Sequence, residues 1–77
     1  MKIKITFLRL LNIKKAESGS FIEVKDGCTV RELLEYLEIK KDRFNSISVV
    51  VNDIPVWSST QLKEGDNIQL LVSLGGG

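Results

Sequence analysis

Residues 29–37, TVRELLEYL, decide how the rest of the chain reads. Thr29 carries a short hydroxyl that can accept from a free helix N–H, and Glu32 follows three residues later, the spacing of a capping box. Val30, Leu33, Leu34 and Leu37 then recur at i, i+3, i+4 and i+7, one apolar stripe of helical period. Arg31, Glu32, Glu35 and Glu38 take the wet side, and the pattern fades after Ile39 into Lys40-Lys41-Asp42-Arg43. The spacing predicts an amphipathic helix of about three turns. A stripe of this kind covers one face of a sheet and leaves the other bare.

Outward from the helix, both flanks change period from 3.6 to 2. On the N-terminal side Asp26-Gly27 marks a turn, preceded by a strand at 20–25 in which Ile22 and Val24 alternate with Phe21, Glu23 and Lys25. Residues 12–20, with Lys14-Lys15, Glu17 and Ser18-Gly19-Ser20, read as a polar connection. Before it, KIKITFLR at 2–9 sets Ile3, Ile5 and Phe7 on one face and Lys2, Lys4, Thr6 and Leu8 on the other. On the C-terminal side Ile47–Val51 is a β-branched strand. Asn52-Asp53 is a turn, and Ile54-Pro55-Val56 is a short edge strand, because Pro55 cannot donate to a central ladder. Residues 58–64, SSTQLKE, read as a loop or single helical turn, and Glu64-Gly65-Asp66-Asn67 turns the chain. Ile68, Leu70 and Val72 then alternate with Gln69, Leu71 and Ser73 in a last strand.

One helix between strands, with no repeated βα unit, predicts an α+β roll. Its sheet is mixed, of four or five strands, with the first and last adjacent and parallel. The helix packs on the face of Ile3, Ile5, Phe7, Ile22, Val24, Ile68, Leu70 and Val72. Alternation leaves Thr6, Leu8, Phe21 and Leu71 on the opposite face with nothing in the chain to cover them, a candidate partner-binding surface.

The 77 residues make one domain, expected over 1–74 with a glycine tail at 75–77. With 11 Lys+Arg against 10 Asp+Glu the formal charge is +1, lacking the basic surplus that nucleic-acid binding needs. Met1 leads directly into alternating sequence without a signal-peptide pattern, and no apolar run reaches the length of a membrane span. The expectation is a cytoplasmic protein with no membrane partner. One cysteine and no histidine exclude an internal disulfide and an ordinary zinc site, so no metal is expected. The absence of histidine also removes the usual proton shuttle near neutral pH, and no glycine-rich phosphate loop joins a strand to a helix. Cys28, beside the helix N-terminus but without a base or partner thiol, reads as a small inert residue. Trp57 reads as packing or a loop anchor.

The chemistry therefore points to the end of the chain. Three of the six glycines are Gly75, Gly76 and Gly77. Without Cβ atoms such a tail is slender enough to thread a narrow channel and present a carboxylate in another protein's active site.

The strand order, the TVRELLEYL helix, VVVNDIPV, the LKEGDNIQLL turn and strand, and the terminal GGG together resemble the MoaD/ThiS family over the whole chain. That family comprises ubiquitin-like β-grasp sulfur carriers: the small subunit of molybdopterin synthase and the thiamine-biosynthesis carrier. The resemblance implies that Gly77 is the reactive residue, adenylated with ATP by an E1-like adenylyltransferase and converted to a thiocarboxylate. Gly76 matches the penultimate glycine of the family and Gly75 is an additional one, where many members have another small or polar residue; both lie in the slender tail expected to thread the active site, and the carrier itself is expected to bind no cofactor and to be no enzyme. The sulfur then passes to a synthase, either the molybdopterin synthase large subunit or thiazole synthase. Both branches stay open: LVSLGGG lacks the proline common in the molybdopterin branch, whereas the long connection from Leu10 to Ser20 looks like that branch. Conjugation of Gly77 to lysines, as a protein modifier, and a non-covalent β-grasp binding module are the alternatives.

Overall fold

A computed structural model describes residues 1–8 and 11–72. In chain order the elements are β1 (Lys2–Phe7), β2 (Ser20–Glu23), α1 (Val30–Tyr36), a 3₁₀ helix (Lys41–Ser46), β3 (Ile47–Val51), β4 (Ile54–Val56) and β5 (Asn67–Val72). The strands form one sheet in the order β2-β1-β5-β3-β4. The first and last strands lie side by side and parallel, with Ile5 opposite Ile68 and Phe7 opposite Leu70. The other three pairings are antiparallel. This is the mixed five-stranded β-grasp roll that the alternating terminal strands and single helix predict.

Burial follows the two periods. Ile3, Ile5, Ile68 and Leu70 are buried beneath Val30, Leu33, Leu34 and Leu37 of the helical stripe. Ile47, Val49, Val51 and Leu62 complete the core, and Phe7, Ile22 and Val24 pack against its rim. Leu11, Ile13 and Ala16 of the first connection also pack against it. That connection is thus less polar in its packing than its lysines and serines imply.

The helix begins where expected. Thr29 Oγ1 accepts from Glu32 N–H while the Glu32 carboxylate accepts from Thr29 N–H, closing the capping box. The two other free N–H groups find partners in a distant loop: Val30 N–H donates to Thr60 O and Arg31 N–H to Ser58 O, both at 2.9 Å. The 58–64 segment is therefore a clamp on the helix start, fastened further by the Leu62 N–H bond to Cys28 O at 2.8 Å.

The helix ends earlier than its apolar stripe suggests, after 7 residues and not about three turns. Glu38 enters the left-handed region at φ 61°. Its N–H reaches Glu35 O at 3.0 Å, and Ile39 N–H reaches Leu34 O at 3.2 Å. These two bonds form a Schellman motif, which satisfies the last carbonyls and turns the chain away. The segment that follows, which carried no clear sequence signal, forms the 3₁₀ helix.

At the far end of the sheet Asn52 and Asp53 both have positive φ, 51° and 69°, making the primed two-residue turn between β3 and β4. Asp66, largely buried, ties this hairpin to the turn before β5. Its carboxylate accepts from Asn52 Nδ2 at 2.9 Å and from Lys63 N–H at 2.8 Å. Asn52 Oδ1 accepts in turn from Asn67 N–H at 2.9 Å. Gly65, at φ 83°, supplies the left-handed residue that this turn requires.

Candidate functional site

Among the described residues the sheet has α1 on one face, and Leu8, Phe21 and Leu71 on its other face are exposed. On β1 the outward positions are Lys2, Lys4 and Thr6, with Leu8 next beyond the strand's end, and on β5 they are Asn67, Gln69 and Leu71. The pairing register orders them into rows across the sheet. Phe21 faces Lys4, which faces Asn67. Thr6 faces Gln69, which faces Val50, which faces Pro55. Leu71 faces Ser48. In this last row Leu8 is one step past the Phe7–Leu70 pair, and Trp57 one step past the Val49–Val56 pair.

The row holding Leu71 lies at the C-terminal end of β5, the central strand, and residues 73–77 follow it in the chain. Leu71 is 45% exposed, Leu8 58% and Trp57 83%. Of the four outward residues expected from alternation, the register thus brings Leu8 and Leu71 together, with Thr6 one row behind. Phe21, 62% exposed, stands apart beside Lys4 on the outermost strand. Gly75, Gly76 and Gly77 lie outside the described residues.

Trp57 departs from the expectation of a packed or anchoring residue. β4 is an edge strand of 3 residues, and Trp57 follows it on the face that no element covers among the described residues. The signal was present in the sequence. Once Pro55 is assigned to the solvent face, the residue two positions on shares that face.

Cys28 matches its reading as an inert residue. It is buried, and its Sγ–H donates to Thr29 O at 3.4 Å. Burial, reinforced by the charge of Glu32, pushes the thiol pKa up, away from the reactive thiolate. Glu32 is itself held ionised, first by the Lys25 ammonium at 2.6 Å and then by the Thr29 N–H. Both carboxylate and ammonium serve the helix start and are absent from the outer face.

Such an arrangement suits recognition: a rigid sheet presents apolar side chains at the end of β5, the strand that residues 73–77 follow in the chain. Known proteins share this architecture. The chain superposes on SAMP1 from Haloferax volcanii with a TM-score of 0.74 at 16% identity, covering 100% of both chains. It also superposes on a chain of the complex of subunits 1 and 2 of molybdopterin-converting factor from Helicobacter pylori, with a TM-score of 0.65 at 28% identity and 100% coverage of both. Comparison with curated protein sequences returns no significant match. The sequence model of the ThiS family matches residues 8–77, from the end of β1 through the three glycines, and the chain belongs to this family of ubiquitin-like β-grasp proteins.

Proposed function

We propose that the chain is a sulfur carrier whose reactive group is the α-carboxylate of Gly77. The observation that carries this reading is the family match over residues 8–77, which includes the glycine segment as well as the folded body. In the proposed reaction an E1-like enzyme joins the carboxylate to the α-phosphate of ATP, releasing pyrophosphate. A hydrosulfide-level sulfur nucleophile then attacks the acyl carbon, and AMP leaves with its electron pair. The product is a C-terminal thiocarboxylate. The carrier supplies no acid, base or metal to these steps; it supplies placement, which alone can be worth several orders of magnitude in rate.

The Helicobacter pylori chain, at 28% identity, comes from a two-subunit molybdopterin-converting factor. That favours a synthase large subunit as the sulfur acceptor over thiazole synthase. The thiocarboxylate sulfur would attack an electrophilic carbon of the acceptor's substrate, displacing a leaving group from that carbon to give a thioester; water would then cleave the acyl–sulfur bond, returning the carboxylate and leaving the sulfur on the substrate as a thiol.

The test is intact-protein mass spectrometry after incubation with the cognate E1-like enzyme, ATP and a sulfide source. The expected product has one terminal oxygen replaced by sulfur. Deleting Gly77, or appending one alanine, should abolish the change without unfolding the domain. Gly76→Val should also block it, because a β-branched side chain fills space that the channel leaves for bare backbone. Sulfur gained by the chain lacking Gly77 would place the reactive group elsewhere. Amide linkage of Gly77 to lysines would favour protein conjugation instead.

A further inference from the structure

We infer that the outer edge of β2 and the groove between β2 and α1 form a binding site for an extended peptide in which apolar and basic residues alternate. The inference does not depend on the chemistry proposed for Gly77.

β2 is an outermost strand, paired on one side with β1. Just past its end Val24 exchanges two hydrogen bonds with Met1. Its N–H donates to Met1 O at 2.8 Å, and its carbonyl accepts from the Met1 ammonium at 2.6 Å. Bonded positions alternate along an antiparallel ladder, so Phe21 and Glu23 turn their N–H and C=O groups away from β1. Among the described residues no strand meets them there. A strand added from another chain would bond to these groups, the backbone mode by which extended peptides join a sheet edge.

Beside this edge lies a groove of about 570 Å³, lined by Glu23, Val24, Lys25 and Cys28 on one side and Glu32, Glu35 and Tyr36 on the other. Every second side chain of an added strand would lie over it, on the face of Ile22 and Val24. Apolar residues suit those places, where they cover Val24, Cys28 and the exposed Tyr36 ring. The intervening side chains would lie on the outer face, beside Phe21 and Glu23, and there charge selects. Glu23, Glu32 and Glu35 line the groove against one ammonium, Lys25, which is already paired with Glu32 at 2.6 Å. The Met1 ammonium, 3.5 Å from Glu23, is shared with Asp26 at 3.3 Å. A cation on the added strand would stand one strand spacing from Glu23, about 5 Å. Lys2 and Lys4 of β1 would be two spacings away, about 10 Å, a full screening length. A second copy of this chain suits the edge less well, because pairing two β2 strands would set the same carboxylates of both copies against each other.

The experiment titrates the full-length, isotope-labelled chain with a short, end-blocked peptide of alternating valine and lysine. Binding is followed by backbone amide shifts and by the anisotropy of the dye-labelled peptide. The expected result is saturable, salt-weakened binding, with the largest shifts at the amides of Phe21, Glu23 and Tyr36. Exchanging the peptide's lysines for glutamates should weaken binding by roughly tenfold or more. Phe21→Pro removes an outward donor that β1 does not use, so the sheet should fold while affinity falls by about tenfold. Should that variant unfold, a peptide N-methylated at its bonding residues makes the same deletion from the other side and must show the same loss. Glu35→Lys, at an exposed helix position, should weaken binding several-fold. Absence of binding overturns the inference, as does equal affinity for the glutamate peptide. Full affinity after loss of the edge hydrogen bond, or shifts concentrated away from β2 and α1, also overturns it. A dimer in sedimentation that Phe21→Pro dissociates would give the edge to a second copy and overturn the peptide site.

Discussion

At the scale of single residues, this fold uses its polar side chains chiefly to finish backbone hydrogen bonding. Glu32 is the clearest case. The capping box already binds it to Thr29, and the Lys25 ammonium sits 2.6 Å from its carboxylate. These contacts lower its pKa from the ordinary 4.5, the Lys25 hydrogen bond first and the Thr29 N–H second. A carboxylate with a depressed folded-state pKa contributes stability above its unfolded value and loses it as pH falls through the folded one. Glu32→Gln keeps the amide-compatible cap but removes the charge. The variant should therefore melt below wild type at neutral pH and converge with it below pH 4.5. Thermal unfolding followed from neutral pH down to about pH 3 checks this. A gap that stays constant over that range would assign the effect to packing. Glu38 makes the opposite case, a residue poorly matched to its place. It holds the left-handed C′ position of the Schellman motif, where glycine carries no Cβ penalty. Its ion pair with Lys15, 3.6 Å and exposed, contributes little in return. Glu38→Gly should stabilise the domain by about 0.5–1 kcal/mol. Urea unfolding measures it, and a loss of stability would count against the strain argument.

At the scale of elements, the helix is short and depends on tertiary contacts. Seven residues cannot hold a helix in water, since nucleation is costly and propagation brief. What holds α1 is the burial of Val30, Leu33, Leu34 and Leu37, together with the loop carbonyls of Ser58 and Thr60 at its N-terminus. Leu34→Ala should cost about 2–5 kcal/mol, the range for deleting a fully buried leucine side chain. A loss well below 1 kcal/mol in urea unfolding would mean that the site collapses around the alanine. The same dependence explains why the helix boundary misled the sequence reading. The stripe continues to Leu37 and Ile39 because both still pack on the core, but Leu37 does so as the cap and Ile39 from beyond it. Apolar spacing reports which side chains are buried, and it does not report where the backbone stops being helical.

At the scale of the whole molecule, the described sheet divides into a face covered by α1 and a bare one, and Leu71 of the bare face lies at the end of β5, which residues 73–77 follow in the chain. Leu8→Asp and Leu71→Asp each put a charge into the row at that end. Both side chains are already substantially exposed, so the domain should fold with stability within about 0.5 kcal/mol of wild type. On the proposed reading both variants should show weakened binding to the activating enzyme, with KM raised by tenfold or more. Adenylation of both at the wild-type rate would remove this face from the docking surface.

By itself the sequence determined the fold class, the inward faces of β1, β2 and most of β5, and the helix N-cap. Each of these is written in local periodicity or in a motif a few residues long. Period 2 in Ile3-Ile5-Phe7 and Ile68-Leu70 marks the face of each terminal strand that meets the helical stripe, and their expected parallel pairing is the one the sheet adopts. The glycine segment was legible for the same reason, since its composition is its signal. Only the tertiary structure decided the features that join distant segments. The clamp of Ser58 and Thr60 on the helix start, and the Asp66–Asn52 link between two turns, pair groups whose partners lie far along the chain. No local pattern encodes such a pairing. The alignment of Leu8, Leu71 and Trp57 is of the same kind. Each residue's outward face follows from alternation, but their common row depends on the register among β1, β5, β3 and β4, which is set when the strands pair across the sheet.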